Sequence, residues 1–495
     1  MSDQRQVGPI VDDERLADGG GDFVDVMNPA TGQVIARQAC CNEAAIERIV
    51  ASSERAFSSP EWQSLMPADR GRLLLKVADL LEHEAERLVE LELLDTGKPI
   101  SQLRHMELPL SAALLRFYAG AADKIDGAVK NTPGGFHFTM YEPYGVVAGI
   151  LPWNYPLVNA AMKVAPALAA GNAIVLKPSV ETPLATVEYA RLCTRAGVPA
   201  GIVNVALGGG STCGNLLVAH PKVKKISFTG STGVGQSIQK LAADRMKKVN
   251  LECGGKNAIV VFADADLERA ANAVLFSALV NTGQLCVSCS RLLVEQSIAD
   301  EFEKLLLSKL PAIKVGDPRD ESTLIGPMIT RSQYELVLNY LSGASKEGWK
   351  VLAGGGKPRM TDELAGGLWI EPTLLTGVRP GMKVAVEEIF GPVLSIIRIQ
   401  DEPEAVHVAN EVCYGLSGSV WTANAARAGR MVKAMDAGLV WVNTMLTGYP
   451  QIPLSPHKMS GTGVELGMEG LLAYCRHKSA VIGCDVSAPV GWNIS

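Results

Sequence analysis

Residues 144–177 read YGVVAGILPWNYPLVNAAMKVAPALAAGNAIVLK, and this stretch decides the fold. Both of its ends are short apolar runs rich in β-branched residues, without the polar and apolar alternation of a half-exposed strand. Only Lys163 is charged before residue 177, but three prolines and three asparagines interrupt the segment, which is unfavourable for a membrane span. The stretch therefore predicts a strand, a helix and a second strand in the core of a soluble protein.

The same pattern continues towards the C-terminus. Short β-branched runs at 201–210, 224–230 and 257–266 alternate with helical stretches, and the alternation restarts after about residue 265. Helical connections between buried strands are typical of parallel sheets, so the sequence predicts an α/β fold with two parallel-sheet domains. Towards the N-terminus, residues 67–99 predict one long amphipathic helix, and residues 124–143 predict a β-hairpin extension.

Composition excludes several classes of protein. The chain has 495 residues, of which 47% are hydrophobic and 20% charged, a balance that supports two or three globular domains rather than disorder or a fibre. The formal net charge of -6 gives no general attraction for nucleic acid or for an anionic membrane, so neither is an expected partner. Ten cysteines without a secretory signal pattern indicate reduced thiols and a cytoplasmic protein.

A candidate phosphate site lies at residues 226–235, ISFTGSTGVG. A β-rich run ends there at Gly230 and Ser231, and a helical pattern follows, so the free N–H groups of a helix N-terminus would face a ligand. A plain serine cap is the simpler interpretation of this segment alone. The chain contains neither a GxGxxG nor a GxxxxGK[ST] phosphate motif.

The segment NTGQLCVSCSR, residues 281–291, contains a candidate nucleophile. Cys286 follows a glycine-containing turn, and a cysteine at a helix N-terminus has a lowered pKa, although a buried structural cysteine is the simpler alternative. Cys286 and Cys289 also form a C-x-x-C pair, which suits a redox pair or half of a zinc site. The seven histidines are scattered singly, so no metal is expected and no histidine is nominated as the partner of a thiol hydrolase.

Two further residues have suitable chemistry for a reactive cleft. Glu252, in NLECGGKN, follows a strand-like run, and a desolvated carboxylate at a strand end has a raised pKa and can act as a general base. Asn154 lies between two prolines that stiffen its turn, so its amide could stabilise an oxyanion. Taken singly, Glu252 is equally a surface carboxylate and Asn154 a turn residue.

Seven motifs in register point to one family. They are PWNYP (152–156), AGNAIVLKPS (170–179), FTGSTGVG (228–235), LECGGK (251–256), GQLC (283–286), EEIFGPV (387–393) and KMSGTGVELG (458–467). With them the chain resembles the NAD(P)-dependent aldehyde dehydrogenase superfamily over residues 23–481, nearest its betaine and amino-aldehyde branch. The resemblance implies an enzyme that oxidises an aldehyde to its carboxylic acid through a cysteine thiohemiacetal and a thioester.

The resemblance also implies an architecture and an assembly. A cofactor-binding domain is expected at 1–123 and 145–252, a catalytic domain at 253–469, and an oligomerisation arm from 124–144 together with 470–495. The expected partners are a small-molecule aldehyde and further copies of the chain, in a homodimer or homotetramer.

Site residues follow from the matched motifs. The resemblance implies that Cys286 is the nucleophile, that Glu252 is the general base, and that Asn154 and the backbone N–H of Cys286 form the oxyanion hole, with Lys163 in the same catalytic set. The implied cofactor is NAD, without a catalytic metal. The residues expected to contact it are Pro152, Trp153, Lys177, Ser179, Gly230, Ser231, Glu388 and Phe390.

The sequence departs from the family pattern at the cofactor ribose. Val180 stands where NAD-preferring members often have an acidic residue, and Glu181 follows one position later, where a side chain points elsewhere. Loss of a carboxylate removes repulsion of a 2'-phosphate. We therefore expect NAD as the main cofactor and tolerance of NADP.

The expected substrate tunnel is poor in aromatic rings. Its motif-aligned residues are Tyr155, Met162, Leu285, Gly448 and Leu454. One ring cannot build an aromatic cage for a trimethylammonium group, which disfavours betaine aldehyde. Because Gly448 and Leu454 carry no ring, the tunnel should be wider, which favours a bulky hydrophobic, aromatic or terpenoid aldehyde. Amino-aldehydes and small aliphatic aldehydes are the alternatives if neighbouring side chains such as Met445 or Tyr449 refill the space. A catalytically silent structural relative is the alternative of another class.

Overall fold

The computed structural model describes residues 5–132, 135–343, 347–361, 363–484 and 491. The expected arm therefore extends beyond the described part of the chain at residues 133–134, 485–490 and 492–495. The α-helices, in chain order, are α1 (Glu43–Ser58), α2 (Pro60–Gln63), α3 (Pro67–His83), α4 (Ala85–Thr96), α5 (Ile100–Gln102), α6 (Leu108–Ala121), α7 (Pro156–Ala169), α8 (Leu184–Arg195), α9 (Asn215–Ala219), α10 (Thr232–Ala243), α11 (Leu267–Leu279), α12 (Ala299–Lys309), α13 (Arg331–Leu341), α14 (Lys383–Val386), α15 (Glu402–Asn410), α16 (Ala425–Ala434) and α17 (Gly467–Leu472).

The strands form two large sheets and smaller ones. In chain order they are β1 (Arg5–Val7), β2 (Ile10–Val11), β3 (Glu14–Arg15), β4 (Gly20–Asn28), β5 (Gln33–Cys41), β6 (Val129–Thr132), β7 (Gly135–Pro143), β8 (Val146–Ile150), β9 (Ala173–Lys177), β10 (Val203–Val205), β11 (Val223–Thr229), β12 (Lys248–Glu252), β13 (Ala258–Val261), β14 (Arg291–Glu295), β15 (Lys350–Ala353), β16 (Thr373–Val378), β17 (Val393–Ile399), β18 (Tyr414–Gly415), β19 (Ser417–Trp421), β20 (Leu439–Val442), β21 (His457–Lys458), β22 (Gly461–Thr462) and β23 (Cys475–Gly483).

The first large sheet has the strand order β22-β12-β11-β8-β9-β10-β2-β3. Its five central strands, β12, β11, β8, β9 and β10, pair in parallel, and short antiparallel strands close both edges. The predicted strand–helix–strand unit at 144–177 is confirmed as β8, α7 and β9, with every residue of both strands buried. Its apolar character therefore belongs to the core of an α/β fold.

The second large sheet has the order β15-β16-β17-β14-β13-β19-β20, and all pairs except β15 with β16 are parallel. Its first strand along the chain is β13. The sequence analysis predicted that the second series of strands and helices begins only after about residue 265, which assigned β13 to the first sheet. That assignment was wrong. A buried β-branched run looks the same in either sheet, since membership depends on long-range pairing.

The predicted hairpin is present and belongs to a separate three-stranded sheet, β23-β7-β6. Strand β7 pairs antiparallel with β6 and with the C-terminal strand β23 along its full length. Among the described helices, none has both the length and the apolar character that crossing a membrane requires.

The single helix predicted for residues 67–99 is two helices in the structure. Residues 67–99 form α3 and α4, separated at Glu84, whose φ of -99° and ψ of 20° are not helical. The Glu84 carboxylate forms ion pairs with Arg87 and Arg195, and the break lets α4 pack against α8. Helix α4 ends at Thr96, and Gly97 follows it in the left-handed conformation typical of a helix C-terminus.

Candidate active site

A cavity of about 250 Å³ opens where the carboxyl ends of the parallel strands of the first sheet meet the loop between α11 and β14. Asn154 follows β8 and Glu252 ends β12, so both lie at the same edge of the sheet. Cys286 reaches the cavity from the facing loop. The remaining predicted residues that line it are Pro152, Trp153, Gly230, Ser231, Glu388 and Phe390.

The loop that carries Cys286 has an unusual backbone. Asn281 and Thr282 have φ of 51° and 56°, a left-handed conformation that non-glycine residues rarely adopt. The carbonyl oxygen of Cys286 accepts a 2.7 Å hydrogen bond from the side chain of Asn257. A Cβ at Gly255 would lie 2.6 Å from that same oxygen, so the GG pair of the LECGGK motif is required for this close approach.

A lowered pKa of Cys286 was expected only if the residue met a helix N-terminus, and the structure does not meet that condition. Burial first, and then the carboxylates of Glu252 and Glu388, raise the pKa of the Cys286 thiol to about 12. No helix begins at residues 286–290, so no helix dipole offsets these effects. Without another charge in the cavity, Cys286 is therefore a protonated thiol.

Asn154 is fixed by hydrogen bonds to the nucleophile loop. It is buried, and its side-chain amide donates to the carbonyl oxygen of Gln284 over 2.9 Å. Its own carbonyl oxygen accepts a 3.2 Å hydrogen bond from the side chain of Asn281. One N–H of the Asn154 amide is therefore engaged, which leaves the second for a substrate oxygen.

Glu252 is a buried carboxyl group with a free oxygen. Its Oε2 has no hydrogen-bond partner among the described protein atoms. Burial raises the pKa of Glu252 well above the ordinary value, Glu465 raises it further, and Lys163 lowers it. A carboxyl group in this environment exchanges protons closer to neutral pH than an exposed glutamate does.

Lys163 lies behind the cavity rather than on its wall. It is fully buried on α7, forms an ion pair with Glu465, and donates to the hydroxyl of Thr229 over 2.8 Å. Lys163, which the sequence analysis put in the catalytic set, therefore acts on the cavity only through its partners, because its ammonium is engaged by Glu465 and Thr229. Glu465 also accepts a 3.0 Å hydrogen bond from Ser227 and is a residue that the sequence analysis missed.

The opposite wall of the cavity holds Glu388 and Phe390. The backbone N–H of Gly255 donates to Glu388 Oε1 over 2.8 Å, and burial raises the pKa of Glu388 to about 7. Phe390 has a φ of 55° and meets the ring of Trp153 edge-on, with 5.4 Å between ring centroids.

Gln333 of α13 holds this wall in place. Its side chain donates to the carbonyl oxygens of Ile389 and Phe390 at 2.7 and 3.2 Å. Gln333 and Leu336 line the cavity, but no local sequence signal marks either residue.

A dinucleotide has fitting partners on this side of the first sheet. Ser231 is the N-cap of α10 but makes no side-chain cap bond, so the helix N-terminus keeps free N–H groups, as a phosphate requires. Lys177 ends β9, is buried, and donates from Nζ to the carbonyl oxygen of Pro178 over 2.9 Å. Ser179 donates its hydroxyl hydrogen to the carboxylate of Glu181. Lys177 and Ser179 lie outside the 250 Å³ cavity.

The predicted substrate residues lie outside the same cavity. Tyr155 and Met162 are half-buried against the core of the first sheet, and the ammonium of Lys98 lies 3.8 Å from the centroid of the Tyr155 ring. Gly448 is exposed, and the backbone of Leu454 exchanges hydrogen bonds of 2.7 and 2.9 Å with Glu465. The last predicted member, Leu285, is half-buried.

The structure bears on the two alternatives for the C-x-x-C pair, a redox pair with Cys289 and half of a zinc site. Cys289 is a buried free thiol whose sulfur lies 3.5 Å from the carbonyl oxygen of Ala258 and 3.7 Å from the sulfur of Met445. Met445 is therefore buried in the hydrophobic core beside the second large sheet, while Tyr449 is 54% exposed. Within the described residues, no three His, Cys, Asp or Glu side chains are placed to hold a metal ion.

Comparison with known proteins gives consistent matches. The model of the aldehyde dehydrogenase family matches residues 16–480. The crystal structure of PnpE from Pseudomonas sp. WBC-3 is similar at 40% identity, 99% coverage of both chains and a TM-score of 0.95. KauB, an aldehyde dehydrogenase from Pseudomonas aeruginosa, has 40% identity, 97% coverage of both chains and a TM-score of 0.94. Betaine aldehyde dehydrogenase from Staphylococcus aureus has 35% identity, 97% coverage of this chain and 95% of its own, and a TM-score of 0.94.

Proposed function

Because the chain belongs to the aldehyde dehydrogenase family, it is an oxidoreductase that acts on aldehydes, and we propose that Cys286, Glu252 and Asn154 carry out the reaction with NAD+ as coenzyme. The observation that carries this proposal is the single cavity that the three side chains share. Structures of PnpE and of the S. aureus betaine aldehyde dehydrogenase contain NAD+, which supports the same coenzyme here.

The first step uses the thiol and the carboxylate together. The sulfur of Cys286 attacks the aldehyde carbon while its proton passes to Glu252, whose raised pKa makes it a suitable acceptor. A C–S bond forms as the carbonyl π electrons move to oxygen. The free N–H of Asn154 then stabilises the negative oxygen, an effect worth about 10²–10³ in rate.

The coenzyme has its own set of contacts. Ser231 and the N-terminus of α10 would hold the pyrophosphate, Lys177 the adenosine ribose and Glu388 the nicotinamide ribose, beside Phe390 and Trp153. When bound, NAD+ supplies an acceptor for the hydride of the former aldehyde carbon. Gly254 permits this arrangement, because a Cβ there would lie 2.2 Å from a carboxylate oxygen of Glu388.

Hydrolysis of the thioester completes the turnover. Glu252, after losing the proton it accepted, takes a proton from water as the water oxygen attacks the thioester carbon, and the C–S bond breaks to release the acid and Cys286. The neighbouring Glu465 and Lys163 set how readily Glu252 gives up its proton, since they shift its pKa in opposite directions. No histidine is needed in this scheme.

Substitution of Cys286 tests the proposed function. We expect Cys286→Ala to abolish aldehyde-dependent NADH formation, followed by absorbance, while NADH binding followed by fluorescence is retained. Cys289→Ala is the matched control, because it removes the other C-x-x-C thiol, which lies in the core, and should keep turnover. Near-normal turnover by Cys286→Ala would overturn the proposal, and a well-folded wild type inactive on every aldehyde would favour a silent relative.

The substrate class proposed is a bulky hydrophobic aldehyde, aromatic or terpenoid. Gly448 provides no side chain, Leu454 no ring, and Tyr155 is the one aromatic of the five expected tunnel residues. Specificity constants from acetaldehyde to naphthaldehyde test this class. A best substrate of two or three carbons would contradict it and favour small aliphatic aldehydes, and a best substrate with an amino group would favour amino-aldehydes.

We also propose the domain boundaries and assembly given above, with the sheet β23-β7-β6 as the contact between subunits of a homodimer or homotetramer. The ten cysteines are all free, which suits a reducing compartment such as the cytoplasm.

A further inference from the structure

A buried lysine lies over the ring of Tyr155, outside the 250 Å³ cavity. Lys98 stands between α4 and α5 and is 1% exposed. Its Nζ lies 3.8 Å from the centroid of the Tyr155 ring, the shortest distance between a cation and an aromatic ring in the described part of the chain. The negative face of a ring attracts an ammonium at this distance, most strongly where water is excluded. One face of this ring is therefore already occupied by a cation.

Two carboxylates hold the ammonium in this place. Both oxygens of Glu107, at the end of the π-helical turn Leu103–Glu107, lie 2.6 Å from Lys98 Nζ. Oε1 of Glu92, on α4, lies 3.4 Å from the same atom. Glu92 and Glu107 are both buried. Movement of Lys98 away from the ring would leave carboxylates unpaired in the interior, which is strongly unfavourable, so the ammonium is fixed over the ring.

The ring and the lysine are both connected to the reactive loops. Tyr155 directly follows Asn154, and its carbonyl oxygen accepts 2.9 Å hydrogen bonds from the backbone N–H and from the side chain of Asn159. On the other side, Oε1 of Gln102 on α5 accepts a 3.1 Å hydrogen bond from the backbone N–H of Asn281 in the nucleophile loop. The contact between lysine and ring therefore has a fixed position relative to the site.

Occupation of one face changes what the Tyr155 ring can bind. An ammonium group binds an aromatic ring through the negative potential of its faces. A cation on one face draws electron density towards itself, so the opposite face attracts a second cation less. Burial raises the pKa of the Tyr155 phenol well above its ordinary value, so the ring carries no negative charge that would compensate. An uncharged apolar group still packs on such a ring, because that contact depends on buried area.

We propose that Lys98 is a positioning residue for Tyr155 that makes the aldehyde tunnel selective for uncharged over cationic aldehydes; the place of Tyr155 in that tunnel rests on the function proposed above. The ammonium, held by Glu107 and Glu92, keeps the ring in one orientation and occupies a face that would otherwise bind a substrate cation. The group of the substrate that lies beside the ring is then neutral and apolar, not a trimethylammonium or amino group.

Two aldehydes of the same shape test this selectivity. Betaine aldehyde and tert-butylacetaldehyde differ only in the central atom of the bulky group, which is a positively charged nitrogen in the first and a neutral carbon in the second. We expect wild type to have the higher specificity constant for tert-butylacetaldehyde. The ratio of the two constants measures how strongly the tunnel distinguishes charge, since size and shape are matched.

Removal of the ammonium should weaken this preference. Lys98→Met combined with Glu107→Gln removes the cation together with its closest partner, which limits the buried charge left unpaired. We expect the preference to fall at least about tenfold, chiefly through the KM for the aldehyde, with kcat little changed. Thermal unfolding reports any loss of stability. If this double variant does not fold, Lys98→Gln takes its place, because it keeps a hydrogen-bond donor for Glu107 without the charge.

A double-mutant cycle shows whether the charge acts through the ring. Tyr155→Leu removes the ring, and in that background the same change at Lys98 and Glu107 should alter the preference by less than about twofold. Arg37→Met is the control for a cation–ring contact elsewhere, because the Arg37 guanidinium lies 5.4 Å from the centroid of the Phe23 ring in another sheet. It should leave the preference unchanged.

The remaining outcomes decide against the proposal. A folded Lys98 variant with the wild-type preference overturns it, as does an equal change with and without the Tyr155 ring, which would indicate a direct effect of the charges. A wild type that prefers betaine aldehyde over tert-butylacetaldehyde overturns it as well. A wild type that oxidises no aldehyde would refute the proposed function itself, and this inference with it, whereas turnover without selectivity refutes the inference alone.

Discussion

The side-chain amide of Asn154 donates a 2.9 Å hydrogen bond to the carbonyl oxygen of Gln284, two residues before Cys286. The side chain of Asn281 donates to the same carbonyl oxygen over 3.1 Å and to the carbonyl oxygen of Asn154 over 3.2 Å. Two loops from different sheets are thereby fixed against each other. The donor for a substrate oxygen and the attacking sulfur thus keep a constant separation.

Substitution of Asn154 should affect the chemical step more than binding. Asn154→Ala removes the donor to the developing oxyanion, so we expect kcat to fall by about 10²–10³ with a small change in the KM for NAD+. Asn159→Ala is the control, because the Asn159 amide donates over 2.9 Å to the carbonyl oxygen of Tyr155 outside the cavity. Steady-state kinetics distinguish them, and an equal loss in both variants would contradict the role of Asn154.

The Lys163–Glu465 pair should set the pH dependence of turnover. A general base must be deprotonated, so the rate rises with pH through the pKa of Glu252. Lys163 lowers that pKa and Glu465 raises it, so Lys163→Met should move the midpoint of the pH–rate profile to higher pH and Glu465→Gln to lower pH.

The double variant is the control for this pair. Removing one partner leaves the other buried and unpaired, which destabilises the fold, whereas Lys163→Met with Glu465→Gln removes both charges. Thermal unfolding measured beside the pH profile separates stability from catalysis. Midpoints that move in the same direction in both single variants would refute this electrostatic explanation.

Much of the site could be predicted, because strands and motifs are recognised from short stretches of sequence. The runs that end at Glu252 and before Asn154 are apolar and β-branched, and parallel strands necessarily bring their carboxyl ends to one edge. The roles of Cys286 and Ser231 rest on the resemblance, while their positions in one cavity are now observed.

What could not be predicted depends on long-range packing. Glu465 contacts Lys163 across the chain through the edge strand β22, and Gln333 reaches Phe390 from α13, so neither has a local signal. The raised pKa of Cys286 has no local signal either, because burial and two carboxylates distant in the sequence determine it.

A methyl group at Gly254 should disturb coenzyme binding. The Cβ of Gly254→Ala would meet a carboxylate oxygen of Glu388 at 2.2 Å and displace it. We expect NADH affinity to fall about tenfold, which corresponds to about 1.4 kcal/mol, the order of one hydrogen bond to a charged group. Gly429→Ala, on the exposed helix α16 with no atom within 4 Å of its Cβ, should bind NADH normally. Unchanged fluorescence titrations for Gly254→Ala would contradict the assignment of Glu388.

Coenzyme choice should depend on residue 180. With Val180 there is no carboxylate at that position to repel a 2'-phosphate, so we expect NADP to be used, less efficiently than NAD. Val180→Glu should lower the specificity constant for NADP about tenfold or more, while the uncharged Val180→Gln should not, since repulsion requires the charge. Rejection of NADP by wild type by more than about 10³-fold, about 4 kcal/mol, would contradict this prediction.

The arm sheet offers a test of assembly. Val129 on β6 and Val481 on β23 are 72% and 73% exposed, so this sheet presents large apolar side chains to its surroundings. If the sheet is the subunit contact, a buried unpaired charge there opposes association, and Val481→Asp should shift the mass measured by light scattering towards the monomer. Met246→Asp is the control, because Met246 is 90% exposed in the loop between α10 and β12 and should leave the mass unchanged. A monomeric wild type, or a Val481→Asp protein of unchanged mass at low concentration, would contradict the proposed role of this sheet.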